Sequence, residues 1–204
     1  MQEDLNNGLI EVRKAYRLLY DYQKRILDLM SFIGGSFNRE YNGGYPKFSG
    51  SGPNNGRGKL DLWAWDWLNM YYYEFNFRQK TVKSATQYFS IFLVTDTGYF
   101  QVKQESDILK TKLSSFEIPE RSQSKLIFVI GDNLWDAFGK NWSSTSFILG
   151  DKGDKGEAGK RMIYKSYELS KFGNHESAID QLRDFERYCS EFNIDFKYQE
   201  RKIR

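Results

Sequence analysis

The chain has 204 residues and carries 30 Lys and Arg against 27 Asp and Glu, so its formal net charge is only +3. A chain of this length can bury one hydrophobic core without disulfides or metals, and we expect a single domain over residues 1–204. One cysteine and one histidine exclude an internal disulfide and any zinc site made of several His and Cys ligands. The apolar runs are short and the N-terminal residues are acidic, so we expect a soluble, cytoplasmic protein without a membrane segment.

Residues 3–34 have the pattern of one long helix that ends at a pair of glycines. Apolar residues recur every seven positions, and others fill the companion positions of the same stripe, which is interrupted at Gln23. The first set is Leu5, Val12, Leu19, Ile26 and Ile33, and the second is Leu9, Tyr16 and Met30. Such a helix would be about 45 Å long, more than a small domain usually covers. Two interpretations stay open: the first set mediates self-association into a homodimer, or the helix packs across its own sheet.

Residues 35–59 are predicted to be a glycine-rich loop, and no helix or strand is expected between Gly34 and Lys59. This interval holds eight of the 17 glycines, and its cations alternate with aromatic residues. Aromatic and basic residues on a long loop are typical of a segment that binds a partner. The candidate partner-binding residues are Phe37, Arg39, Tyr41, Tyr45, Lys47, Phe48, Arg57 and Lys59. The alternative is an insertion without any ligand.

Residues 60–204 are predicted to form an antiparallel sheet with a C-terminal helix. The aromatic-rich residues 60–77, with three tryptophans, predict two buried strands separated near Leu68. Further strands are expected at 87–95, 98–104, 126–130, 146–149, 160–167 and 194–198, with a hairpin turn at 95–98 and a charged glycine loop at 150–159. Apolar spacing predicts a helix over 175–192. The whole pattern predicts an α+β fold, with a long N-terminal helix and a C-terminal helix packed on a mainly antiparallel sheet.

No motif predicts a reaction, a cofactor or a bound metal. The segments 52–59 and 156–161 both depart from the phosphate-binding loop pattern. Magnesium-dependent cleavage of nucleic acid needs only carboxylates, for which Asp61, Asp66 and Glu74 are weak candidates. The acid and lysine of Asp195 and Lys197 have a nuclease-like spacing, but a helix precedes them where a strand with a second acid is required.

Two functional hypotheses follow from these patterns. The first is a non-enzymatic interaction or assembly protein that binds a protein partner, because no convincing catalytic set is present. The alternative is a nucleic-acid-binding protein or a magnesium-dependent nuclease, suggested by the basic aromatic loop and the basic C-terminal residues. Whether the protein is an enzyme stays open, with the non-enzymatic role favoured.

Overall fold

A computed structural model describes residues 2–48, 64–79, 87–102, 112–138 and 142–200. The α+β prediction is confirmed: the described residues form one antiparallel sheet with a long helix at the N-terminal end and another at the C-terminal end. The strands, in chain order, are β1 (Arg39–Pro46), β2 (Tyr72–Gln79), β3 (Gln87–Val94), β4 (Lys125–Asp132), β5 (Lys152–Glu157) and β6 (Lys160–Glu168). Their order across the sheet is β1-β2-β3-β4-β6-β5, so β1 and β5 lie at the edges.

Three α-helices and three short 3₁₀ helices complete the described residues. The α-helices are α1 (Gln2–Ser36), α2 (Thr145–Leu149) and α3 (His175–Glu191), and the 3₁₀ helices are Ala64–Trp67, Leu113–Ser115 and Leu169–Phe172. Apolar periodicity predicts both α1 and α3, and α3 begins where the Asn174 side chain accepts a hydrogen bond from the Ser177 amide at 2.9 Å. None of the helices in the described ranges is long and apolar enough to span a membrane.

The sheet is buried on both faces, which is why its central strands are almost continuously apolar. Successive residues of β3 point to opposite faces, so Ile91 belongs to one core cluster and Phe92 to the other. The first cluster lies under α1 and α3 and includes Ile33 and Phe185. The second is covered by α2 and by the connecting segments, with Phe147 at its centre. The prediction that the aromatic-rich residues 60–77 form buried strands is confirmed for their second half, which lies in β2.

Residues 39–46 form an edge strand, so the prediction of no regular structure between Gly34 and Lys59 is wrong for this part. The glycines that suggested a loop instead permit a bulge, because the register against β2 shifts between Tyr41 and Gly44 and Gly43 has a φ of +98°. A Cβ at Gly44 would lie 2.4 Å from the carbonyl oxygen of Glu74. Glycine therefore allows the two backbones to approach.

The predicted hairpin at residues 95–98 is also wrong. The Asp96 carboxylate accepts a hydrogen bond from the Gly98 amide at 2.7 Å, and residues 98–101 form a turn instead of a strand. This turn directs Phe100 into the second core cluster. The strand β3 pairs instead with β2 and with the distant β4. Residues 103 and 104 lie outside the described residues.

Four further local predictions differ from the structure. Residues 146–149 form the helix α2, capped by Ser144, and not a strand. The glycine loop at 150–159 contains β5, where the absence of a side chain at Gly153 leaves room for the Tyr164 ring. Residues 194–198 form no strand, although Phe196 is buried in the first cluster. Of the first half of the aromatic run, residues 64–67 form a 3₁₀ helix, while 60–63 lie outside the described residues.

The contact of α1 with the sheet depends on Gly34, because a Cβ there would lie 2.7 Å from the ring of Phe77. We predict that Gly34→Ala lowers the free energy of unfolding by about 1–3 kcal/mol, the usual effect of overpacking a core. Urea denaturation would measure it. Gly8→Ala is the matched control, since a Cβ at Gly8 meets nothing within 4 Å. Equal stability of the two variants would contradict this account of the contact.

Candidate protein-interaction surface

The apolar stripe of α1 is buried at its C-terminal end and exposed at its N-terminal end. Ile26 and Ile33 are 3% and 0% exposed and belong to the first core cluster. Leu5 and Tyr16, by contrast, are 63% and 71% exposed. Among the described side chains of α1, contact with the sheet begins at Tyr22, whose hydroxyl is 3.0 Å from the Thr95 hydroxyl. The first turns of α1 thus extend beyond the body of the domain, by which we mean the sheet and the elements packed on it.

We call this exposed part of α1, residues 5–21, the free segment. Its apolar side chains on the stripe are Leu5, Leu9, Val12, Tyr16 and Leu19, all exposed in the single chain. Ile26 and Ile33, which the sequence grouped with them for self-association, are covered by the sheet of the same chain and cannot reach a second copy. The interpretation that the helix packs on its own sheet therefore holds for its C-terminal part. Of the set predicted for self-association, only Leu5, Val12 and Leu19 remain accessible.

The positions that flank the stripe on the free segment carry little charge. They are occupied by Asn6, Gly8, Arg13, Ala15 and Tyr20. Charged residues concentrate on the opposite side of the helix, where Lys14 donates to Glu11 at 2.8 Å with both side chains exposed. This distribution leaves an apolar face bordered by small or neutral residues.

The predicted partner-binding loop is divided by the fold. Phe37, Arg39 and Phe48 are buried, and the two phenylalanines belong to the core clusters. Tyr41 and Tyr45 project from the edge strand β1 and are exposed. Lys47 forms an ion pair with Glu74, while Arg57 and Lys59 lie outside the described residues. Among the described residues of this set, those that are exposed are thus two tyrosines at one sheet edge.

A groove of about 410 Å³ lies between α1 and the strands β1 and β2. Its apolar walls include Leu27, Met30, Phe75 and Phe77, and Tyr41 stands at its edge. Leu27 is exposed in the described structure. The groove therefore borders the end of α1 where the buried part of the stripe begins.

Two of the three carboxylates considered for catalysis lie in the described residues, and neither belongs to a group there that could hold a metal ion. Asp61 lies outside the described residues, and Asp66 is buried on the 3₁₀ helix Ala64–Trp67. Glu74 lies on β2, with its carboxylate bound to Lys47. Within the described ranges, no group of three or more Asp, Glu, His or Cys residues could hold a metal ion. Asp195 is not on a strand, so the nuclease-like spacing with Lys197 lacks its structural context.

Glu74 instead forms a buried polar cluster that the sequence did not predict. Its Oε2 lies 2.6 Å from Lys47 Nζ, and its Oε1 accepts a hydrogen bond from Ser90 at 3.2 Å. Ser90 also lies 2.6 Å from the Asn76 side-chain oxygen. One signal was present in the sequence: Glu74 shares a strand face with Tyr72, so a buried carboxylate that needs a partner could have been expected.

The ion pair of Lys47 and Glu74 yields a stability prediction. Lys47→Met would leave the Glu74 carboxylate buried without its counterion, and we expect a loss of roughly 3 kcal/mol, the lower end for broken buried pairs because Lys47 is partly exposed. Adding Glu74→Leu should recover most of this loss. Urea denaturation of both single variants and the double variant measures the coupling. Purely additive effects would show that the pair does not interact.

Arg39 presents the opposite case, a buried cation that has no acidic partner among the described residues. One guanidinium nitrogen bonds to the Gln87 side chain, the group lies over the Phe196 ring, and Nη1 has no partner. Burial lowers the pKa of Arg39 to about 10. A basic group with a lowered pKa destabilises the fold wherever it is charged, and this effect diminishes only as the pH rises through about 10. At neutral pH the full destabilisation is present.

We predict that Arg39→Met raises the free energy of unfolding at neutral pH by about 1 kcal/mol, because an apolar side chain of similar length removes the buried unpaired charge. The control is Arg78→Met on the neighbouring strand, where the arginine is exposed and 3.8 Å from Glu40. That change should alter stability by less than about 0.5 kcal/mol. Denaturation at pH 7 tests both. A large loss in Arg39→Met would mean that its contacts with Gln87 and Phe196 outweigh the buried charge.

The single cysteine and histidine do not form a reactive centre in the described structure. Cys189 is fully buried in α3, and burial raises the pKa of its thiol. His175 is exposed at the first residue of α3, with its ring 5.5 Å from that of Phe32. Cys189 thus packs as a small buried hydrophobic residue, and His175 is a polar residue at the start of a helix.

Comparison with known proteins gives a family but no activity. A family model described as PM0109 matches residues 2–193. Among curated proteins, the chain is similar to the "Uncharacterized protein PM0109" of Pasteurella multocida (strain Pm70), with 53% identity over 38 residues. That alignment covers 19% of this chain and 19% of the relative, so it spans about a fifth of either protein. No solved structure matches.

Proposed function

We propose that this chain, which belongs to the PM0109 family, is a non-enzymatic assembly protein that self-associates through the free segment of α1. The observation that carries this proposal is the division of one apolar stripe into a buried C-terminal part and an exposed N-terminal part. Leu9 and Val12 continue the same repeat that buries Ile26 and Met30, yet they face solvent in the single chain. An uncovered apolar helix face of this kind is the usual mark of a helix-to-helix interface.

The length of the free segment supports the same function. About 20 residues of helix extend roughly 30 Å beyond the first contact with the body. Helices of this length are marginal in water on their own, and most of their stability in proteins comes from packing of an apolar face. A second helix packed on the stripe would supply that contact.

A second copy of the chain is the partner that the free segment fits by its own composition. Coiled-coil pairing requires apolar residues at the stripe and tolerates neutral residues beside it, and both are present here. Arg13 is the one charged residue among the flanking positions from Asn6 to Tyr20. Repulsion between like charges therefore places little constraint on pairing of two identical helices.

The test is the oligomeric state of the full chain by size exclusion with light scattering over a range of concentrations. We expect twice the mass of one chain. Because each buried aliphatic side chain contributes roughly 1.5–3 kcal/mol, Leu9→Asp combined with Val12→Asp should weaken dimerisation more than about 100-fold. Both residues are exposed in the single chain, so the fold should persist by circular dichroism.

The matched control is Leu18→Asp, which makes the same kind of change on the same helix but away from the stripe. Leu18 is 71% exposed and lies beside the charged side of α1. Dimerisation should be unchanged in this variant. A wild-type chain that remains monomeric at all concentrations would remove the basis of the proposal.

A further inference from the structure

We infer that the two copies pair with their α1 helices antiparallel, so that the two domain bodies lie at opposite ends of the helix pair. This inference rests on the proposed self-association and adds its geometry. It follows from the side of α1 on which the body lies, from the unbroken course of α1, and from the residue at which the body begins.

The body lies on the same side of α1 as the exposed stripe. Ile26, Met30 and Ile33 are buried against the sheet, which fixes the direction of the stripe at that end. A straight helix rotates away from a seven-residue repeat by about 20° per heptad, so Leu5 is turned by roughly 60° relative to Ile26. That angle is smaller than the roughly 100° width of an apolar face. A helix packed on Leu5 to Leu19 is therefore in line with the body of the same chain.

A parallel pair conflicts with this arrangement. A parallel partner helix would pass along the stripe and, beyond Tyr22, enter the volume that the sheet of the first chain already fills. To avoid this overlap, the two helices would have to bend away from each other near Tyr22. However, α1 is a continuous α-helix from Gln2 to Ser36 without a proline, and Gly8 lies far from the point of divergence. In an antiparallel pair each helix runs away from the other body, and no overlap arises.

The start of the body also selects the register. Stripe residues in an antiparallel pair face each other in layers, and the register that places Leu9 opposite Val12 of the second copy also places Leu5 opposite Tyr16. In that register Leu5, the first stripe residue of the second copy, lies alongside a residue of the first copy that precedes Tyr22, where the body starts. A shift by one heptad toward the body would drive the first turn of the partner into the sheet.

The same register places Arg13, the charged residue beside the stripe, next to a neutral residue of the second copy. Arg13 of one copy then lies beside Asn6 of the other, and Gly8 lies beside Ala15. The two Arg13 side chains are kept apart, and the small residues allow the helices to approach closely. The neighbouring helix dipoles are also opposed, which is the favourable arrangement.

Disulfide trapping in the full chain tests the orientation. Two variants are prepared, Leu5→Cys and Tyr16→Cys, one of them carrying a size tag, and each is first shown to be dimeric by light scattering. Both positions are exposed in the single chain, and the buried Cys189 does not compete. A disulfide requires Cα atoms about 4.4–6.8 Å apart. In the antiparallel register, residue 5 meets residue 16 of the other copy, whereas identical positions are about 16 Å apart along the axis.

We expect the mixture of the two variants to form the mixed cross-linked dimer on oxidation, with at least a tenfold excess over cross-linking of either variant alone. Efficient cross-linking of each variant with itself would show a parallel pair and overturn the inference, while leaving the proposed self-association intact. Dimers that form no cross-link in any combination would overturn both the antiparallel orientation and its register. A wild-type chain that is monomeric by light scattering would instead overturn the proposed function itself.

Discussion

The central physical constraint on this protein is that its first helix is longer than the sheet it covers. One apolar stripe runs along α1 from Leu5 to Ile33, and burial of its last third holds the helix against the sheet. The remaining turns have the same apolar pattern but are exposed to water, which is unfavourable for aliphatic side chains. The direction of the helix is fixed by the buried end, so the body determines which partners can approach the exposed end and from which side.

The body itself is a sheet whose two faces are both closed by aromatic and aliphatic side chains. Phe89 and Phe128 meet α3 on one face, and Phe92 meets Trp142 and Phe147 on the other. A ring in such a cluster contributes to stability and leaves no surface for stacking on a ligand. Two exposed aromatic residues, Tyr41 and Tyr45, lie at the edge strand β1, where the bulge interrupts the regular backbone pattern.

Two buried charged groups in this body illustrate different ways of accommodating polarity. Glu74 is held by Lys47 and by the Ser90 hydroxyl, so its burial is compensated by charge and by a hydrogen bond. Arg39 has a neutral partner in Gln87 and a ring beneath it, but one of its nitrogens has no acceptor. Both lie on neighbouring strands at the β1 side of the sheet, where the connection from α1 enters it.

Local signals in the sequence determined the two long helices and the fold class. The spacing of apolar residues in α1 and α3 depends only on the geometry of one helix. The continuous apolar runs of β3 and β4 are likewise local, and they are typical of strands that are buried on both faces. Strand pairing was different. The glycines at 43 and 44 predict a loop when they are considered alone, yet they lie in a strand that pairs with β2. The residues after β3 have the pattern of a hairpin turn, yet the chain turns there so that Phe100 packs in the second cluster.

The sequence also determined the apolar repeat on α1, but only the tertiary structure decided how much of it is exposed. A repeat predicts which side chains share one face of the helix. It does not predict where the sheet beneath that face ends. That boundary lies at Tyr22 because Thr95, which is 73 positions further along the chain, occupies the adjacent edge of the body. Contacts between distant segments set such boundaries, since burial depends on what folds against a residue and not on its neighbours in sequence.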